Sequence, residues 1–213
     1  FATGASPVET YKRIIEAYER DEVSLKYITT FNLDEYVGLD RENVNSYFYF
    51  MKDNLFGKTD VDFDRVNFLS GKADNIEEEC KRYSKLLREN PVDIVCLGIG
   101  ENGHIAFNDP DVADFNDKAL IKVVDLDDIC RQQQVNDGCF AKFDDVPKNA
   151  LSLTVPALTA GAYMFCVVPA PTKANAVKNT VNGDINEKCP ATILRTHENA
   201  ILYCDADSGV HLL

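Results

Sequence analysis

The stretch that most constrains this chain is residues 97–110, LGIGENGHIAFNDP, which follows the apolar run VDIVC at 92–96. An apolar run of this length is typical of a buried strand in a parallel sheet. Three glycines then permit backbone turns that side chains would forbid, and Asn102, His104 and Asp109 lie among or just after them. Because ligands of open α/β sheets gather at the carboxyl ends of strands, this loop is predicted to carry a functional site.

The same loop also satisfies a dinucleotide-binding pattern, G-x-G-x-x-G, at residues 98–103. That fingerprint needs its third glycine to open a helix whose N-terminus holds the pyrophosphate. Residues 104–110 have no helical apolar period, and Asn108-Asp109-Pro110 is typical of a turn. The pattern therefore does not favour a dinucleotide site, and the absence of a following Gly-Lys-Ser/Thr excludes a P-loop.

The rest of the chain alternates between helical and strand patterns, and 213 residues suit one domain. This alternation predicts a Rossmann-like α/β fold, a mostly parallel sheet with helices on both faces, in a single domain over residues 1–213. Predicted helices cover residues 7–20, 45–55, 75–90, 128–135, 173–181 and 191–195. Predicted strands cover residues 25–31, 66–69, 92–96, 119–126, 150–154, 163–168 and 200–204.

Charge and cysteine content narrow the class of protein. The net charge of −13 argues against nucleic acid and anionic membrane surfaces as partners. We find no apolar run long enough to span a membrane and no signal-peptide pattern. Seven cysteines, an odd number without zinc-type C-x-x-C spacing, favour reduced thiols and a cytoplasmic location.

Three further positions carry candidate chemistry, each with a structural alternative. Ser6 and Glu9 around Pro7 form a capping-box pattern, so residues 3–6 are either a helix start or an anion site at that helix N-terminus. The adjacent acids of the Asp34-Glu35 pair follow a predicted strand and serve either as a helix cap or as catalytic groups. Lys173 lies in a first helical turn, against the helix dipole, which favours a functional role.

Three separated motifs together indicate a family. They are ATGASP at 2–7, FNLDEYVGL at 31–39 and LGIGENGHIAFN at 97–108. In these three motifs the chain resembles the glucosamine-6-phosphate deaminase (isomerase) family. The resemblance continues through VPKNAL at 146–151 and PATILRTH at 190–197, in the family's order. Members usually carry one more strand and helix before the first loop, so the resemblance implies that this sequence lacks them.

The resemblance implies an enzyme that converts glucosamine 6-phosphate and water into fructose 6-phosphate and ammonia, without metal or organic cofactor. It implies that His104 moves the hydroxyl proton that opens the sugar ring, positioned by Asn102 and Asp109. Asp34 then acts as the base that moves a proton from the amine-bearing carbon to its neighbour. A positioned carboxylate and a near-neutral imidazole are suited to these steps.

The resemblance also assigns phosphate binding, with two departures from the family pattern. The family usually has glutamate where Asp109 stands, and many members have a phosphate-binding arginine where Cys139 stands. Arg131, in the same predicted helix region, is a candidate for the missing charge. The residues expected to bind phosphate are Thr3, Gly4, Ala5, Ser6, Lys173 and Arg131.

Several alternatives stay open at this point. They are a related isomerase for another hexosamine epimer, a sugar-phosphate lactonase, and a non-catalytic sugar-phosphate sensor. The Asp34 motif argues against the lactonase, while the altered positions 109 and 139 keep the sensor open. The expected partner is a small-molecule sugar phosphate, with a homo-oligomer left open. No metal is expected, because the proposed site shows no cluster of His, Cys and carboxylates at ligand spacing.

Overall fold

The computed structural model describes residues 1–136 and 138–212. In these residues helices and strands alternate, with short 3₁₀ turns such as Pro171–Lys173 and Pro190–Thr196 between them. The α-helices are α1 Val8–Glu19, α2 Tyr47–Asn54, α3 Ile76–Glu89, α4 Asp128–Asn136, α5 Val155–Thr159 and α6 Ala174–Asn182. The strands are β1 Thr30–Phe31, β2 Asp34–Tyr36, β3 Val66–Asn67, β4 Ile94–Leu97, β5 Ile121–Asp125, β6 Asn149–Leu153, β7 Tyr163–Val168 and β8 Ala200–Cys204.

The strands pair in three groups. β4, β7 and β8 form a parallel sheet, β1 pairs in parallel with β3, and β6 pairs antiparallel with both β2 and β5. The predicted Rossmann-like α/β class is confirmed, with an antiparallel group that the sequence did not indicate. Only Asn32 and Leu33 separate β1 from β2, so the chain leaves the parallel arrangement just before its pair of acids.

The core is built from the apolar strands and the faces that the helices turn towards them. Met164, Cys166 and Val168 of β7 are buried and alternate with half-exposed or exposed neighbours. Tyr83 and Leu87 lie on the buried side of α3, whose first turn is capped by Asn75: its side chain accepts a hydrogen bond from the Glu78 backbone N–H. Burial of these apolar faces supplies the main driving force for folding.

The helix α1 differs from its predicted start. Its N-cap residue is Pro7, and no side chain caps it, so the predicted capping box of Ser6 and Glu9 is wrong. The Ser6 hydroxyl is therefore not engaged by this helix end.

Two parallel strands place the loops that matter for function. Because β4 and β7 run side by side in the same direction, the loop after Leu97 and the segment leading to Lys173 emerge at one edge of the sheet. Within the described residues, none of the helices is long and apolar enough to cross a membrane.

Candidate active site

A cleft opens at this edge of the sheet, and most of the predicted site residues line it. The N-terminal loop forms one wall, the glycine loop after β4 forms another, and α4 contributes two glutamines. The lining residues are Ala2, Thr3, Gly4, Ala5, Ser6, Leu33, Asp34, Tyr47, Gly98, Ile99, Gly100, His104, Ala106, Phe107, Gln133, Gln134 and Lys173.

The glycine loop is folded tightly around His104. The Gly100 N–H donates to the His104 carbonyl at 2.9 Å, and Gly103 turns the chain with a φ of +88°. A methyl group at position 100 would overlap the imidazole ring, so the ring lies directly against the Gly100 backbone. Position 100 thus requires glycine because the His104 ring approaches its backbone closely, and nucleotide binding is not needed to explain it.

Asp109 and Asn102 hold His104 from one side. The His104 Nδ1 lies 2.8 Å from Asp109 Oδ1, and the Asn102 Nδ2 donates to the same oxygen at 2.9 Å. The Asn102 Oδ1 accepts from the His104 backbone N–H at 3.0 Å. Burial raises the pKa of Asp109, but the contacts with His104 and Asn102 lower it more, so the net pKa is below the ordinary value. Asp109 is therefore an ionised carboxylate that fixes one imidazole nitrogen.

Asp34 is a buried acid at the cleft wall. It is 6 % exposed, and its Oδ1 has no hydrogen-bond partner among the described residues. Burial, with a contribution from the charge of Glu35, raises the pKa of Asp34 to about 8. A carboxyl group with a pKa near the working pH can take up and return a proton, which is the property of a general base.

Glu35, the second acid of the pair, faces α2 instead of the cleft. Its carboxylate accepts hydrogen bonds from the backbone N–H groups of Tyr36, Tyr47 and Phe48, at 2.9 to 3.1 Å. Burial nevertheless raises the pKa of Glu35 to about 7. Successive residues of a strand point to opposite faces, so Asp34 points towards the cleft and Glu35 towards α2.

Most of the residues predicted to bind phosphate line the same cleft. Gly4 has a φ of +86°, which turns the loop that holds Thr3 and Ser6. The loop packs directly against Gly98, so the N-terminal loop and the glycine loop share a wall. Lys173 is buried and lines the same cleft at the start of α6.

The structure does not bring Arg131 to this cleft. Its Nη2 donates to the carbonyl oxygens of Phe143 and Val146, both at 3.1 Å, and its guanidinium stacks on the Phe143 ring at 4.0 Å. Phosphate binding by Arg131 is therefore not supported, because its charged group serves the chain segment after α4. Cys139 is half-buried and does not line the cleft either.

The two glutamines of the cleft were not predicted from the sequence. Gln133 and Gln134 lie on the face of α4 that meets the glycine loop, and the Gln133 Oε1 accepts from the Glu101 N–H at 3.3 Å. Helical spacing puts them on one face with Cys130, since they lie three and four positions beyond that residue.

A third residue of α4 corrects the premise of the metal prediction. Cys130 is buried, and its sulfur, a ring nitrogen of His104 and an oxygen of Asp109 all lie within 4.8 Å of one another. The expectation that the site holds no cluster of His, Cys and carboxylate groups at ligand spacing is therefore wrong. Sequence spacing could not show it, because Cys130 reaches the site from another element.

Fold and cleft together define an α/β protein in which a carboxyl group, an imidazole and a lysine line one cleft near the carboxyl ends of parallel strands. The chain belongs to the glucosamine-6-phosphate isomerase/6-phosphogluconolactonase family, whose model matches residues 1–203. This confirms the resemblance drawn from the motifs.

Individual relatives agree with this membership. A glucosamine-6-phosphate deaminase of Clostridium botulinum is 35% identical over 212 residues, covering 99% of this chain and 85% of the relative. One of Bacillus cytotoxicus is 40% identical over 207 residues, covering 97% of this chain and 75% of the relative.

Solved structures are similar as well. One described as a monomeric glucosamine-6-phosphate deaminase is 35% identical with a TM-score of 0.93, covering 99% of this chain and 86% of that one. A 6-phosphogluconolactonase of Thermotoga maritima, 20% identical with a TM-score of 0.73 over 95% of this chain and 82% of its own, shares the fold.

Proposed function

We propose that this protein is a glucosamine-6-phosphate deaminase, which converts glucosamine 6-phosphate and water into fructose 6-phosphate and ammonia. The observation that carries the proposal is the placement of Asp34 and His104 in one cleft with Lys173. Its sequence support is the 35–40% identity to deaminases over nearly the whole chain.

The first step is opening of the sugar ring by proton transfer at a hydroxyl group. Asp109 occupies the Nδ1 side of His104, which leaves the opposite ring nitrogen, Nε2, for the substrate. Asp109 and Asn102 set the orientation of the ring and stabilise its charged form, as a carboxylate does for a histidine base.

The second step moves a proton from the amine-bearing carbon to the adjacent carbonyl carbon of the opened sugar. Asp34 takes the proton from the amine-bearing carbon and returns it to the neighbouring carbon, giving an imine that water hydrolyses to the ketose and ammonia. No electrons leave the substrate overall, so the reaction needs no redox cofactor. The positive charge of the substrate's ammonium group favours ionisation of the buried carboxyl.

In this proposal the substrate's phosphate group binds Lys173 and the loop of residues 3–6, which line the same cleft. Lys173 is the cation among the described residues that line the cleft, so it has to offset the net charge of −13 locally. The Thr3 and Ser6 hydroxyls and the backbone N–H groups of the Gly4 turn add neutral donors.

The proposed setting is metabolic: a cytoplasmic enzyme of amino sugar catabolism with a small sugar phosphate as its partner. The oligomeric state is left open, and one solved relative is described as monomeric.

The direct test is to incubate the purified chain with glucosamine 6-phosphate and measure ammonia and fructose 6-phosphate together. Equal amounts of both products support the proposal. Hydrolysis of 6-phosphogluconolactone without ammonia release would indicate the lactonase alternative, and binding of the sugar phosphate without turnover would indicate a sensor.

A further inference from the structure

The cluster of His104, Asp109 and Cys130 has the composition of a metal site. The three donor atoms lie within 4.8 Å of one another, although they come from two parts of the fold. His104 and Asp109 belong to the loop after β4, whereas Cys130 belongs to the first turns of α4. That turn is fixed, because the Cys130 N–H donates to the Asp127 side chain at 2.5 Å.

The donors match one ion better than others. An imidazole nitrogen, a carboxylate oxygen and a sulfur form the mixed set that Zn²⁺ accepts, with ligand distances of about 2.0 to 2.3 Å. In addition, the Asp109 Oδ2 is buried without a hydrogen-bond partner among the described residues, so it has lone pairs available. Small side-chain rotations would bring three atoms already this close around one ion.

We propose that His104, Asp109 and Cys130 bind one Zn²⁺ ion, and that the bound ion inhibits the enzyme. On binding, the Cys130 thiol gives its proton to solvent and the sulfur coordinates as thiolate. The ion then occupies the imidazole and the carboxylate that open the sugar ring, so His104 no longer exchanges protons. The binding stands independently of the proposed deaminase reaction, and only the inhibition rests on it.

The test measures Zn²⁺ binding to the full chain without substrate. After dialysis against a chelator and its removal, calorimetric titration with Zn²⁺ alone should show one equivalent bound. Cys130→Ser should weaken this binding by more than about 100-fold, since loss of even an outer-shell partner costs 10–100-fold. Cys204→Ser is the matched control: this cysteine is exposed on β8, and its substitution should leave the affinity unchanged.

A second measurement does not depend on the variant's folding. Co²⁺ bound to the unsubstituted chain should show the thiolate charge-transfer absorption that a site without sulfur cannot give. Saturable binding with no such band, unchanged affinity in a folded Cys130→Ser protein, or no stoichiometric binding would each overturn the proposal. If Zn²⁺ binds as expected and the chain releases no ammonia from glucosamine 6-phosphate, the zinc site stands and the proposed function fails.

Discussion

The sharpest test of the site is Asp34→Asn, which keeps the shape of the side chain and removes its ability to accept a proton. A positioned acid or base typically contributes about 10²–10⁴-fold to turnover, so we expect a loss of that size with substrate binding nearly intact. Two assays report it: ammonia release, and exchange of the substrate's carbon-bound proton with deuterated solvent. Retention of exchange at the unsubstituted rate would refute Asp34 as the base.

The raised pKa of Asp34 adds a pH signature to the same prediction. The base must be ionised, so kcat/KM of the unsubstituted enzyme should rise with pH along a limb centred near the Asp34 pKa of about 8. Glu35→Gln should move this limb to lower pH, because the charge of Glu35 is one cause of the raised pKa. A profile that stays flat while the pH passes through that range would contradict the assignment.

Stability should show the opposite dependence on pH. The pKa of Asp34 is raised to about 8 in the folded protein, whereas the ordinary pKa of an aspartate side chain is 3.8. Its contribution to stability is therefore complete below the unfolded pKa and is lost as pH rises through the folded one. The difference of about four pH units corresponds to on the order of 5 kcal/mol in the free energy of unfolding. Chemical denaturation at several pH values should show Asp34→Asn gaining stability relative to the unsubstituted protein as pH rises.

Glu35→Gln is the matched control for these effects. It changes the neighbouring acid, which accepts three backbone N–H groups and lies off the cleft. We expect a loss of roughly 1–3 kcal/mol in the free energy of unfolding, with the proton-exchange reaction retained. A loss of exchange as large as that of Asp34→Asn would mean that the effect is structural.

Substitutions at three other positions test the rest of the site. Lys173→Ala should weaken binding of glucosamine 6-phosphate by about 10- to 100-fold, as a charge-assisted contact of 1.5–3 kcal/mol implies, and should not affect free glucosamine; equal losses in binding assays would assign Lys173 to the fold. Asp109→Ala should slow turnover of cyclic substrate but spare proton exchange on open-chain substrate, with Asp109→Glu neutral or faster; a lower melting temperature with unchanged kinetics would mean that Asp109 only fixes its turn. Gly100→Ala should displace the His104 ring and lower kcat, and a crystal structure with the ring in place would contradict this.

The elements of the fold were largely predictable because the chain alternates apolar strands and amphipathic helices. The predicted helix over 75–90 is observed as Ile76–Glu89, and the predicted strand over 163–168 is observed as Tyr163–Val168. The antiparallel pairing of β6 was not predictable, since strand direction depends on contacts distant in sequence. The strand predicted over 25–31 is reduced to Thr30–Phe31 because residues before it turn away from the sheet.

Whether a site residue could be predicted from the sequence depends on whether its partners lie in the same sequence motif. Asn102, His104 and Asp109 lie on one loop, so their sequence spacing already limits their distances. Arg131 and Cys130 are neighbours on α4, yet the sulfur lies beside Asp109 whereas the guanidinium lies on the carbonyl oxygens of another segment. A step of one residue rotates a helical side chain by about 100°. The orientation of α4 was not known from the sequence, so it could not be predicted that Cys130 and not Arg131 faces the site.

A cleft in so acidic a protein needs a local positive charge to bind an anion, and Arg131 does not provide it. Lys173 is buried, and a charge partly removed from water would act on the proposed phosphate through a lower effective dielectric than an exposed cation would. Backbone N–H groups of the turn at Gly4 add to this field without adding a titratable charge. Burial also raises the pKa of Asp34 to about 8, so this carboxyl group of the same cleft is largely uncharged at neutral pH. One cleft thus favours a ligand with an anionic end and a cationic centre, which is the charge pattern of a hexosamine phosphate.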